Sequence, residues 1–126
     1  SHLITYYNIF NHHEKLMLIN SHLLLLGSLQ TYRRELKQIT QYIKKHKGPV
    51  LWAGDFNTWY TSRQNLLDDT TQNLGLQKAS WRNDTRSQRL DHAYIREFEV
   101  VSATVLAHIR SSDHSPLHLE VRIKSD

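Results

Sequence analysis

The chain has no cysteine. Disulfide staples and thiolate-ligated zinc are thereby excluded, and a reducing cytoplasm is compatible with the absence without being demonstrated by it. Long apolar stretches are also missing. No run is longer than Leu23 to Leu26, far short of the roughly 20 residues that span a bilayer, so no transmembrane segment is expected. No signal-peptide pattern opens the chain, and its first residue is Ser1 rather than methionine. Leu3-Ile4-Thr5-Tyr6-Tyr7 already reads as the inside of a strand, so the expectation is a trimmed chain whose true N-terminus lies upstream. His2, His12 and His13 lie near the start without HExxH spacing, which argues against metal ligation by them. There is no internal repeat, no low-complexity tract and no linker. Acidic residues are the scarcer charge, twelve against sixteen Lys and Arg, for a net charge of +4. A basic balance favours polyanionic partners, though a mildly basic surface without any such partner accounts for it equally well.

What is present is the size and composition of one globular domain: 126 residues, 39% hydrophobic and 22% charged. Leu3 to Phe10 is rich in β-branched and aromatic residues and predicts a strand. After the polar break Asn11 to Lys15, Leu16 to Asn20 is a nearly continuous apolar run, the pattern of a strand covered on both faces. The period then changes. Leu29, Tyr32, Leu36, Ile39 and Ile43 form one apolar helical face opposite Arg33, Arg34, Lys37, Lys44 and Lys45, and Gly48-Pro49 stops the helix. Val50 to Ala53 predicts a short buried strand. Thr61 and Gln64 resemble a capping box for a second helix that runs to about Leu74. Ser80 to Gln88 reads as a polar, basic loop. Arg89 to Ile95 and Glu97 to Ala107 read as strands, and Leu117 to Ile123 alternates strictly as a half-buried last strand. Strands interleaved with helices predict an α/β or α+β layered fold.

Four segments carry chemistry: Asn20-Ser21-His22, Gly54-Asp55-Phe56-Asn57, Arg89-Leu90-Asp91-His92, and Ser111-Ser112-Asp113-His114-Ser115-Pro116-Leu117. The first three lie at or near strand ends, where ligand sites of α/β sheets assemble, and the fourth precedes the last strand. If the loops converge, one cleft holds two imidazoles, three carboxylates and an amide. Carboxylates bind a hard cation or orient a water, a His–Asp pair contacts phosphate or moves protons, and an amide donates to a phosphoryl oxygen. Each segment alone has a plainer explanation. Asp55 can cap a turn, His22 can be structural, Asp91 can pair with Arg89 or Arg96, and Asp113-His114 can form a turn before Pro116.

Taken together and in this order, the segments resemble the endonuclease/exonuclease/phosphatase superfamily, which includes deoxyribonucleases, apurinic endonucleases and sphingomyelinases. The resemblance covers nearly the whole chain, 1–126, and matches the C-terminal half of a single catalytic domain whose N-terminal half is absent. It implies half of a four-layer α/β/β/α sandwich with mixed sheets. It also implies a hydrolase that cleaves phosphoric esters with an activated water and magnesium, or manganese in its place. By the same resemblance, Asp55 would orient or deprotonate the water, and Asn57 would contact the scissile phosphate or that water. His114 would contact a phosphoryl oxygen or transfer a proton, with Asp91 fixing its tautomer. Asp113 would bind or flank the metal. His22 would contact phosphate or protonate the leaving oxygen, and Asn20 would brace the strand end. The superfamily's principal metal-binding glutamate, which lies in the first half of its domain, has no match in Ser1 to Ile19, so this chain alone is expected to be inactive.

Nucleic acid is the first-choice substrate, with lipid or inositol phosphates next. Trp81, Arg82, Arg86 and Arg89 combine a ring with cations that could grip a nucleic-acid backbone, or they are a solvated loop. The alternative function is an inactive relative that binds nucleic acid or protein. The full set of Asp55, Asn57, Asp91, Asp113 and His114 argues against it. A Ser–His–Asp hydrolase using Ser112 or Ser115 finds no GxSxG elbow. With its neighbours in the first half missing, Leu117 to Ile123 is expected to leave an unpaired edge and an apolar face, covered by a homodimer or relieved by rearrangement.

Overall fold

The computed structural model describes residues 1–109 and 113–124. Its elements are β1 (His2–Tyr7), β2 (Leu16–His22), α1 (Leu29–Lys45), β3 (Val50–Asp55), α2 (Thr61–Asn73), β4 (Gln77–Lys78), β5 (Asp91–Arg96), β6 (Phe98–Val105) and β7 (Leu117–Ile123). Among the described residues these form a mixed five-stranded sheet, ordered β1-β2-β3-β5-β4, and a two-stranded sheet of β6 and β7. β2 and β3 run parallel, and α1 supplies the long crossover that parallel neighbours need. β1, β5 and β4 each run antiparallel to their neighbours.

Periodicity explains α1. Tyr32, Leu36, Ile39 and Ile43 are buried, whereas the basic residues between them face outward. The Ser28 side chain caps the helix by accepting from the Thr31 N–H, and Lys44 and Lys45 sit in the last turn, where cations favour the helix dipole. The capping box expected at α2 does not form. Tyr60 is the N-cap and makes no side-chain cap bond, while the Gln64 amide donates to Asp68 Oδ1 one turn further on. The one-turn spacing within the helix outcompetes the reach back to Thr61.

The core lies between the helices and one face of the large sheet. Trp52, Phe56, Tyr94 and Tyr32 are fully buried there with Met17, Ile19 and Leu67. Trp52 meets Phe56 edge-on at 5.2 Å between centroids, and Phe56 meets Tyr94 at 5.5 Å, the tilted geometry that aromatic quadrupoles prefer. Covering on both faces, expected for β2, holds for one face only. Met17, Ile19 and Ser21 are buried, but Leu18 is half-buried and Asn20 is exposed. The reason is the opposite layer. The β6–β7 hairpin is two strands wide, and Leu18, Leu51, Ala53, Leu117 and Leu119 line a cleft of about 610 Å³ between it and the sheet.

Two further expectations are corrected. Arg89 to Ile95 was to begin its strand at Arg89, but β5 begins at Asp91. The last strand has not lost every neighbour, because β7 pairs with β6 along its whole length, with a bulge between Val100 and Ser102. Arg82 bridges the outer edge of β6 only at Thr104, and β7 has an open edge along its length among the described residues. The short β4 was not foreseen, since two exposed polar residues, Gln77 and Lys78, carry no periodic signal. No helix of the described residues is long and apolar enough to cross a membrane.

Candidate active site

Strand register builds the site. His22 ends β2 beside Asp55 at the end of the parallel β3, and Asp55 in turn faces Asp91 across the antiparallel β3–β5 pair. Asp91 therefore starts its strand, and opposite strand directions bring one strand's end and another's beginning to the same edge. The segment before β7 adds His114. Its Nδ1–H donates to Asp91 Oδ2 at 2.6 Å, a short charge-assisted bond. His114 Nε2 lies 3.9 Å from Asp55 Oδ2, and His22 Nε2 lies 3.8 Å from the same oxygen.

Asp55 divides its two oxygens. Oδ1 accepts the Asn57 backbone N–H at 2.9 Å, which is the turn-capping role a lone aspartate would have, while Oδ2 faces the two imidazoles. Asn57 takes a left-handed backbone conformation, φ 47°, which asparagine tolerates better than most residues. Its side chain is engaged within the protein. Nδ2–H donates to Leu23 O at 2.6 Å, Oδ1 accepts from Trp59 Nε1–H at 3.2 Å, and the residue is 4% exposed. Asn57 is thus positioned to brace the loop that carries Asp55.

Electrostatics sort the histidines. The hydrogen bond to Asp91 raises the His114 pKa above the ordinary imidazole value; nearby Asp55 and Asp113 add to this, against partial burial. Burial pushes His92 down to about 3, so it stays neutral. The Thr58 hydroxyl donates to Arg89 O, which leaves its oxygen to accept from His92 Nε2–H at 2.9 Å. That chain of bonds ties the Asp55 loop to β5. His2 bonds Ser21 Oγ and Glu35 O, and His12 stacks on His13 at the far hairpin, so none of the three joins the site.

Asp55, Asp91 and His114 each offer a ligand atom, all within 4.8 Å of one another. Two carboxylates fit a hard divalent cation, which needs oxygen donors and retains several waters. Asp113 is exposed and lines the adjoining cleft without joining this group. Asn20, at the outer face of β2, lines the inter-sheet cleft. Arg89 is exposed and donates from Nε to Asp84 Oδ2 at 2.9 Å. Ser111 and Ser112 lie outside the described residues, so the serine-nucleophile reading has only Ser115 within them.

Three contributors escape a reading by motif. Arg86 is nearly buried, chelated by Asp84 through Nε and NH2, and its NH1 donates to Asp91 O; it anchors the start of β5 instead of offering a cation to a ligand. Arg63, 3% exposed, donates to Leu24 O, Asn57 O and Gly27 O and lies over the Tyr32 ring at 4.6 Å, clamping the loop after β2 to the Asp55 loop. Trp59, two residues beyond the Gly54–Asn57 segment, stands at the cleft beside Asp91 and His114. An exposed aromatic so close to that segment was the one available signal.

The family described as the Endonuclease/Exonuclease/phosphatase family matches residues 3–114. A UPF0294 protein of Yersinia pseudotuberculosis is 38% identical over 125 residues, 95% of this chain and 47% of its own length. The chain thus spans about half the length of the curated relatives it matches. The endonuclease domain of TRAS1, a telomere-specific non-LTR retrotransposon, superposes with a TM-score of 0.72 at 16% identity, over 98% of this chain and 64% of that one. An endonuclease/exonuclease/phosphatase of Bacteroides vulgatus superposes with a TM-score of 0.70 at 19% identity, over 88% of this chain and 51% of that one.

Proposed function

The chain belongs to the endonuclease/exonuclease/phosphatase family, and from that premise we propose that the full-length protein is a metal-dependent phosphoesterase that hydrolyses phosphodiesters, nucleic acid first among them. The observation that carries the reading is the Asp91–His114 bond of 2.6 Å set beside Asp55. Asp91, through the oxygen not bonded to His114, would help hold the cation, magnesium or manganese, with Asp55 beside it. When bound, it would neutralise phosphate charge and acidify water. Asp55 Oδ2, the oxygen not used by the turn, orients the attacking water and accepts its proton. His114, oriented by its bond to Asp91, donates to a phosphoryl oxygen as negative charge builds there. His22, on the other side of Asp55, contacts the phosphate or protonates the leaving oxygen. Asn57 holds the loop in register. The net charge of +4 and an endonuclease domain among the structural neighbours support nucleic acid as substrate.

In the full-length protein, Asp55→Asn and His114→Ala should each reduce magnesium-dependent phosphodiester hydrolysis at least about a hundredfold, with unchanged circular dichroism. Asp55→Asn keeps an oxygen for the turn while removing the charge, so it separates chemistry from folding. Near-normal turnover of an authentic substrate by either variant would favour the binding-module reading instead.

A further inference from the structure

Beside the Asp91–His114 pair opens a cleft of about 550 Å³, large enough for a nucleotide-sized ligand. Two large apolar side chains line it while exposed to water: Trp59 at 45% and Ile109 at 41%. Leu90 and Ala107 extend the apolar lining. Solvated apolar surface of this kind inside a concave site gains free energy when a flat, weakly hydrated ring covers it.

Trp59 is also fixed in place. Its Nε1–H donates to Asn57 Oδ1, and the Asn57 backbone N–H donates to Asp55 Oδ1. The indole and the catalytic carboxylate therefore belong to one hydrogen-bonded loop. Gln88 and Ser87 line the same cleft, and neither side chain has an internal hydrogen-bond partner among the described residues. An amide and a hydroxyl supply the donors and acceptors that the edge of a heterocycle requires.

We propose that this cleft is a nucleobase subsite, in which the base next to the scissile phosphate stacks on Trp59. The proposal rests on the phosphoesterase reading above and narrows its substrate to one that carries a ring. Stacking on an aromatic side chain contributes about 1–3 kcal/mol per base and tolerates any base, so Trp59 favours nucleotides over plain phosphoesters whatever the base.

The test uses the full-length protein and two probes, adenosine 5′-monophosphate and ribose 5-phosphate, which differ by the base alone. Calorimetric titration should show adenosine monophosphate binding at least about tenfold more tightly. Trp59→Ala should abolish that difference, and Trp59→Phe, which keeps a ring without the bond to Asn57, should retain most of it. Equal binding of the two probes, or a preference that survives Trp59→Ala, overturns the subsite. Magnesium-dependent hydrolysis of a phosphodiester by the same preparation tests the parent reading separately, so equal binding in an active preparation removes the subsite alone.

Discussion

At Gly54 a Cβ would lie 1.9 Å from the carbonyl oxygen of Ser21, and the backbone there has φ +146°, a region open essentially to glycine. The residue before Asp55 is therefore glycine because β2 and β3 approach closely at Ser21 and Gly54. Gly54→Ala should destabilise the protein by at least about 2 kcal/mol in urea unfolding, because backbone on both strands must shift. Asp55 would move with it, so hydrolysis should fall as well. Unchanged stability would show that the strands can part at no cost. Asp55 itself illustrates how much a single residue discloses. Its capping of a turn and its place in the site looked like rival readings in sequence, yet they are two oxygens of one carboxylate. Asn57 is the reverse case, an amide read as a phosphate ligand whose oxygen and nitrogen both find partners inside the protein.

The segment between β4 and β5 shows the same contrast for an element. Its composition reads as a polar, basic loop, but Asp84 organises it by holding Arg86 and Arg89, and Arg86 then reaches Asp91 O. The Arg86 hydrogen bond is the main cause that holds the Asp84 carboxyl down from the ordinary 3.8 to about 2. A depressed folded-state pKa means stability that is complete above the unfolded-state value and is lost as pH falls through the folded one. The difference in melting temperature between the native protein and Asp84→Asn should accordingly be constant from pH 7 down to about 4 and shrink below it. Melting curves recorded across that range check this; a difference that stays constant to pH 3 would mean that the pair contributes nothing through charge. Helix α2 carries a related lesson. Its start at Thr61 was legible, but its cap was not, because a capping box competes with every other partner within reach of Gln64.

For the whole molecule, the decisive feature is the narrow second layer. Among the described residues the β6–β7 hairpin covers only part of the large sheet, β7 keeps an open edge, and a cleft of about 610 Å³ lies between the layers. Open edges template pairing with other strands. This chain, prepared alone, should therefore associate in a concentration-dependent manner by light scattering and lack magnesium-dependent hydrolysis of a generic phosphodiester, which the full-length protein should show. Full activity from the chain alone, or a strict monomer at all concentrations, would refute the expectation. The sequence by itself determined the elements with strong periods, α1 and β7 above all, together with the segments around Asp55, Asp91 and His114 and hence the family, because periodicity and side-chain chemistry are properties of neighbouring residues. Only the tertiary structure decided that Asp91 faces Asp55 from the start of an antiparallel strand, that Arg63 and Arg86 are internal clamps, and that Trp59 opens onto the cleft. Strand direction and hydrogen-bond partnership are settled between residues far apart in the chain: Arg63 and Leu24 are separated by 39 positions, Asn57 and Leu23 by 34, and no local pattern encodes which distant carbonyl a side chain will find.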